Sequence, residues 1–120
     1  MKYLMAIYEN DETFGKFAPD HWEQIIKATD AHNASLFASG ELIGAYGVLD
    51  QREAKQVRLA DGDVIVTDGP YIEAKEYLGS FYVVDCESFE RAIEIAAEMP
   101  SASFVPIEIR PLMNEGASDL

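Results

Sequence analysis

Thr67-Asp68-Gly69-Pro70-Tyr71-Ile72-Glu73-Ala74-Lys75-Glu76-Tyr77-Leu78-Gly79 holds more specified chemistry than any other run of this chain. Asp-Gly-Pro dictates a corner. Glycine reaches positive φ without a Cβ penalty, proline fixes its own φ, and the proline ring pushes the residue before it out of the helical region. Just past that corner two carboxylates and an amine, Glu73, Lys75 and Glu76, fall within four positions. Residues 73 and 75 are two apart, so an extended segment turns both to one face, where they can pair.

Working outward, residues 56–59 and 63–67 alternate apolar and polar side chains around Asp61-Gly62, which predicts a tight hairpin feeding the corner. Beyond the charged run, residues 79–86 read as a strand. Residues 3–8, apolar or aromatic at nearly every position, read as a first strand buried on both faces. Residues 9–15 read as a loop. A helix then starts at Pro19 with Asp20 in its first turn and Ala18 as an N-cap without a side-chain acceptor. Its stripe is Trp22, Ile25, Ile26, Thr29, Asn33, Leu36 and Phe37, and Gly40 stops it. His21 and His32 fall toward its polar flank, as solvated side chains. Residues 42–49 form another strand, with Gly44 and Gly47 permitting a bulge. Ser88 caps a second helix that buries Phe89, Ala92, Ile93 and Ala96 and ends at Pro100. Ile95 points elsewhere, toward contacts on the outside. Residues 104–113 close the fold as an edge strand limited by Pro106 and Pro111.

Strand, helix, strand, hairpin, strand, helix, strand is an α+β order: a ferredoxin-like split βαβ with an inserted β-hairpin, spanning residues 1–113 as one domain with 114–120 as a tail. Two helices cover one face of such a sheet. Strands apolar on both faces leave the other bare, so a homodimer with two sheets face to face is expected.

The 120 residues carry a formal charge of −13 and 48% hydrophobic content, enough apolar matter for one core. No excess of Lys or Arg exists to neutralise phosphates or meet an anionic bilayer, so neither nucleic acid nor membrane is an expected partner. No apolar run approaches the roughly 20 residues of a membrane span. Cys86 is the only cysteine, which fits a reducing, cytoplasmic setting. His21 and His32 have no ligand spacing and no phosphate loop or nucleotide fingerprint appears, so neither a metal nor a cofactor is expected.

Residues 3–8, the run Thr67-Asp68-Gly69-Pro70-Tyr71, and Glu73, Lys75, Glu76, Leu78, Gly79, Ser80, Phe81 and Tyr82 together make the chain resemble the YCII-related family with its Asp-Gly-Pro-Phe motif. Tyr71 stands where that motif has phenylalanine. The resemblance spans nearly the whole chain and implies a dimeric α+β barrel. Wider relatives include cofactor-free lactone isomerases, monooxygenases and a dehydrochlorinase, and family members often accompany extracytoplasmic-function sigma factors. It also implies a dyad of a helix-one histidine and an aspartate. His21 resembles the histidine, while the aspartate's place near Ala38 and Ser39 is empty here.

Two readings of the chemistry stand side by side. In one, Asp68 or Glu73 takes a proton beside the carbonyl of a small molecule, Lys75 stabilises the enolate, Glu76 orients Lys75, and Thr29, Asn33 and Tyr71 line the pocket. In the other, Asp68 accepts backbone hydrogen bonds at its turn, Glu73 and Lys75 form a rim ion pair, Thr29 bonds back to its own helix and Asn33 to a strand backbone. The first describes a cofactor-free lyase or isomerase, the second a ligand-binding or regulatory module.

Overall fold

The structure, a computed structural model, describes residues 1–71 and 74–113, with Phe14 described by its backbone alone. Glu73 and the expected tail lie outside the described residues. The elements are β1 (Lys2–Glu9), α1 (Asp11–Gly15), α2 (Pro19–Ala38), β2 (Leu42–Gly47), β3 (Lys55–Ala60), β4 (Asp63–Asp68), β5 (Tyr77–Asp85), α3 (Phe89–Glu98) and β6 (Ile107–Pro111), with 3₁₀ turns at Gln51–Glu53 and Pro100–Ser103. One antiparallel sheet runs β2-β5-β1-β6, and β3-β4 form a separate ladder. This is the ferredoxin-like split βαβ with an inserted hairpin. Among the described residues, no helix is long and apolar enough to cross a membrane.

The local signals act as their chemistry dictates. Asp61 and Gly62 both take positive φ, 50° and 83°, as a two-residue hairpin turn requires. Gly69 sits at φ 94° in the corner. The Ser88 hydroxyl accepts the Arg91 N–H at 3.1 Å, and Ala18 caps α2 with no side-chain bond. A bulge falls between Leu42 and Gly44, where the Tyr46 ring lies too close to leave room for a Cβ on residue 44. β6 is an edge strand, where its proline is tolerated. Residues 9–15 are not a loop, however. β1 runs on to Glu9, and Asn10 Oδ1 accepts the Thr13 N–H at 2.8 Å to start α1.

Register decides which side chains are buried. Tyr3, Met5 and Ile7 of β1 stand beside Val84, Tyr82 and Ser80 of β5 and beside Pro111, Ile109 and Ile107 of β6, on the face that α2 and α3 cover. Leu36, Ala92, Ile95, Met99 and Val105 complete that core. The helix faces are narrower than their sequences suggest. Ile26 and Phe37 of α2 are exposed, while His32 is half-buried, its Nε2 3.3 Å from the Ile95 carbonyl. His32 therefore ties α2 to α3 and is not a solvated histidine. On α3, Ile95 is 0% exposed and Ile93 is 52% exposed, the reverse of the expected pair. A bidentate pair from Arg91 to Glu41, both N···O distances 2.9 Å, joins α3 to the segment after α2 and holds the Glu41 carboxyl below its ordinary pKa.

The other sheet face carries Leu4, Ala6 and Tyr8 of β1, Phe81 and Val83 of β5 and Tyr46 of β2, and among the described residues no helix covers it. Leu4, Ala6, Tyr8, Leu78, Phe81, Glu108 and Arg110 line a shallow hollow there of about 370 Å³. The β3-β4 arm likewise has a bare apolar face: Val57 pairs with Val66 and Leu59 with Val64, all four exposed.

Candidate functional site

A broad cleft lies where β1 ends, β5 begins and the arm is rooted. Val48, Leu49, Asp50, Gln51, Glu53, Ala54, Pro70, Tyr77 and Leu78 line a cleft of about 620 Å³. An inner recess of about 210 Å³ shares Val48, Leu49, Asp50, Tyr77 and Leu78 with it and adds Glu9 and Gly79. A volume of this size with apolar walls and a few convergent polar groups is what small-molecule sites require. The corner helps to build it. Gly69 N–H donates to the Ala54 carbonyl at 2.7 Å, Gln56 Nε2 to Pro70 at 3.0 Å and Gln51 Nε2 to Ala74 at 3.3 Å, fixing the arm's root as the cleft wall.

Three ionisable groups meet at the recess, and their surroundings push them apart. Glu9 is half-buried, and burial raises its carboxyl pKa. Asp50 is lowered to about 2, chiefly by hydrogen bonds from the Arg52 guanidinium (Nε to Oδ1 2.9 Å, Nη2 to Oδ2 3.2 Å) and from the Arg52 backbone N–H. Tyr77 is pushed up to about 12, first by its 2.7 Å hydrogen bond to Asp11 Oδ1 and then by burial. The recess thus offers one carboxyl that holds a proton more firmly than usual, one permanent carboxylate and one phenol that stays protonated.

Glu9 reaches this position because of Gly79. A bulge between Ile7 and Tyr8 shifts the register with β5, and the Glu9 side chain then lies across residue 79, where any Cβ would collide with its carboxyl end. Gly79→Ala is expected to turn Glu9 outward with little loss of stability, since only the far end of a flexible side chain must move. A carboxyl-carbon NMR titration of Glu9 checks this. The expected result is a pKa back in the ordinary glutamate range, about 4.3.

The constellation expected from the motif is not drawn together among the described residues. Asp68, 84% exposed, pairs with Lys55 at the base of the arm. Lys75 is exposed and lies 3.9 Å from Glu12 of α1, and Glu76 is exposed beside it. Tyr71 is exposed against a groove on the arm with Val57, Thr67 and Pro70. His21 is exposed and stacks on Phe17, ring centroids 4.6 Å apart. Thr29 and Asn33 are half-buried on the inner face of α2. Asn33 stands beside the Tyr82 hydroxyl and draws its pKa down against the larger upward push of burial, and Asn33 Oδ1 is buried without a partner among the described residues. Of the motif residues with described positions, Pro70, Tyr77, Leu78 and Gly79 border the cleft or its recess.

Sequence reading passed over Glu9, Asp50 and the Tyr77 hydroxyl. Asp50 had a local sign, an acid two residues before Arg52 at the start of a turn. Glu9 had none, because its partner lies 70 positions away.

Comparison with known proteins agrees with this architecture. An uncharacterized protein of Rhizobium meliloti (strain 1021) is 28% identical over 114 residues, covering 93% of this chain and 92% of the relative. Among solved structures, the 5-chloro-2-hydroxyhydroquinone dehydrochlorinase TftG of Burkholderia phenoliruptrix AC1100, in complex with 2,5-dihydroxybenzoquinone, superposes with a TM-score of 0.50. It is 15% identical and covers 96% of both chains, a likeness of fold. The family model of the YCII-related domain matches residues 1–115, and the chain belongs to that family.

Proposed function

We propose that this protein is a cofactor-free lyase or isomerase, with Glu9 moving a proton at the carbon next to a carbonyl of a small compound held in the cleft. The observation that carries the reading is the half-buried Glu9 carboxyl, raised by burial, in a recess that opens into a cleft of about 620 Å³. As a base Glu9 takes the proton, and as the resulting acid it returns it to the same carbon or to a neighbouring one. Asp50 stays charged and the Tyr77 hydroxyl stays protonated, so neither competes for that proton. Lys75, exposed and 3.9 Å from Glu12, supplies positive charge to the developing enolate only by swinging in from the cleft's edge. Asp68 keeps the corner closed through Lys55.

Residues 1–113 act as one domain, and two copies pair bare sheet face to bare sheet face into a barrel that walls off both clefts. The single, buried Cys86, whose thiol burial pushes up in pKa, suits a cytoplasmic setting.

One feature favours the second reading, a ligand-binding or regulatory module, which a sigma factor would suit as partner. No Lys or Arg lines the cleft among the described residues, so charge for an enolate has to come from its edge. A panel of small aromatic and lactone-like carbonyl compounds separates the two. A compound that binds only the folded state raises Tm. Such a compound should also exchange its α-proton for deuterium in D₂O, read by proton NMR. A raised Tm without exchange ends the catalytic reading and favours the binder.

A further inference from the structure

A carboxyl at the end of a strand is ordinarily free to leave it. Glu9 is the last residue of β1, and its pair with Tyr77 is the last of the β1-β5 ladder. Ladder ends open at little cost, and a glutamate side chain regains rotamer freedom when it swings into solvent. Gly79 makes room for the Glu9 carboxyl, but room alone does not confine it.

The confinement comes from α1. That helix is five residues long, too short to persist by itself, and it opens two residues past Glu9, where Asn10 Oδ1 accepts both the N–H and the hydroxyl of Thr13 at 2.8 Å. From this turn two consecutive acids reach the segment that enters β5. Asp11 Oδ1 accepts the Tyr77 hydroxyl at 2.7 Å, and Glu12 lies 3.9 Å from Lys75. The contact between Glu12 and Lys75 joins exposed side chains and holds little. The bond between Asp11 and Tyr77 is short and charge-assisted. Because Tyr77 pairs with Glu9, and Asp11 follows Glu9 by two positions, that bond closes a ring around the ladder end where Glu9 enters the recess. Tyr77 lines both cleft and recess, and the charges of Asp11, Asp50 and Glu9 all bear on its phenol, so the four groups stand together. We propose that Asp11 is a positioning residue: by holding the Tyr77 hydroxyl it keeps the ladder end closed and the Glu9 carboxyl inside the recess, without itself touching the substrate. This rests on the reading of Glu9 as the group that moves the proton, and deepens it.

Three single variants, each followed by a carboxyl-carbon NMR titration of Glu9, test the bridge. Asp11→Ala removes the acceptor, Tyr77→Phe removes the donor and keeps the ring, and Asp11→Asn loses the charge but keeps an acceptor oxygen. Asp11→Ala and Tyr77→Phe are each expected to return Glu9 to the ordinary glutamate range, about 4.3, and to move it no further when combined, whereas Asp11→Asn should leave it raised. Asp11→Ala should also slow α-deuterium exchange about tenfold or more, and Asp11→Asn should restore it. A Glu9 titration unmoved in Asp11→Ala and in Tyr77→Phe, even with a lower Tm, would make the bridge merely structural and overturn the proposal. Equal falls in Asp11→Asn and Asp11→Ala would trace the effect to lost charge and overturn it as well. The titration needs no substrate, so a native chain without deuterium exchange ends the lyase reading while the Glu9 pKa still decides what Asp11 holds in place.

Discussion

Glu9→Gln is expected to abolish turnover and, at the same time, to stabilise the protein at neutral pH. As general base the carboxylate is worth about 10²–10⁴ in rate, and glutamine keeps its shape without its proton chemistry. The stability half follows from linkage. Burial raises the folded-state pKa of Glu9 above the unfolded value of about 4.3, so the folded state binds the proton more tightly. The stability this confers is fully present below about pH 4 and is lost as pH rises through the folded pKa. Above that window the native chain bears a poorly solvated carboxylate, and glutamine removes its cost. Tm measured from pH 4 to 8 should therefore show the variant gaining on the native chain as pH rises, with the two converging in acid. A variant less stable at every pH would make Glu9 a structural residue. One that retains deuterium exchange would remove it from the chemistry.

Ile95→Ala should cost about 2–5 kcal/mol and lower Tm by roughly 10 °C or more. The side chain is fully buried between α3 and the sheet, and alanine leaves a cavity that helices braced by His32 and Arg91 cannot easily collapse. The backbone carbonyl that meets His32 survives the substitution, so the measured loss is one of packing. Ile93→Ala is the control. Its side chain is half exposed, and a change within about 0.5 kcal/mol is expected. Chemical denaturation of the two variants decides between the two faces of α3, and equal losses would refute the helix orientation described above.

That pair also shows where sequence reading succeeds and where it stops. Asp61-Gly62, Gly69, Ser88 and Gly40 each act through their own backbone or the next few residues, so the turns, caps and stops they specify were legible. Element order followed from them, and with it the split βαβ fold. Helix rotation was less legible. α3 is short, Ile93 and Ile95 are equally apolar, and only the sheet they meet decides between them. In α2 the apolar stripe was read too wide, because Ile26 and Phe37 are apolar without being needed by the core. The site was least legible. The charged run after the corner drew attention to Asp68, Glu73 and Lys75, yet Asp68 and Lys75 point to partners in solvent. The perturbed carboxyl, Glu9, owes its burial to a bulge and to a glycine on another strand. No local pattern announces such a meeting.

The arm interrupts the chain but not the sheet. β2 and β5 pair directly, with Gly47 opposite Ser80 and the Val48 N–H bonded to the Gly79 carbonyl, as if residues 49 to 76 were absent. Lengthening, shortening or replacing the insertion leaves that framework intact, while Ala54 and Pro70 at its root carry every such change straight into the cleft wall. A change at the arm's root can therefore reshape the cleft wall while Glu9 stays where the β1 bulge and Gly79 hold it.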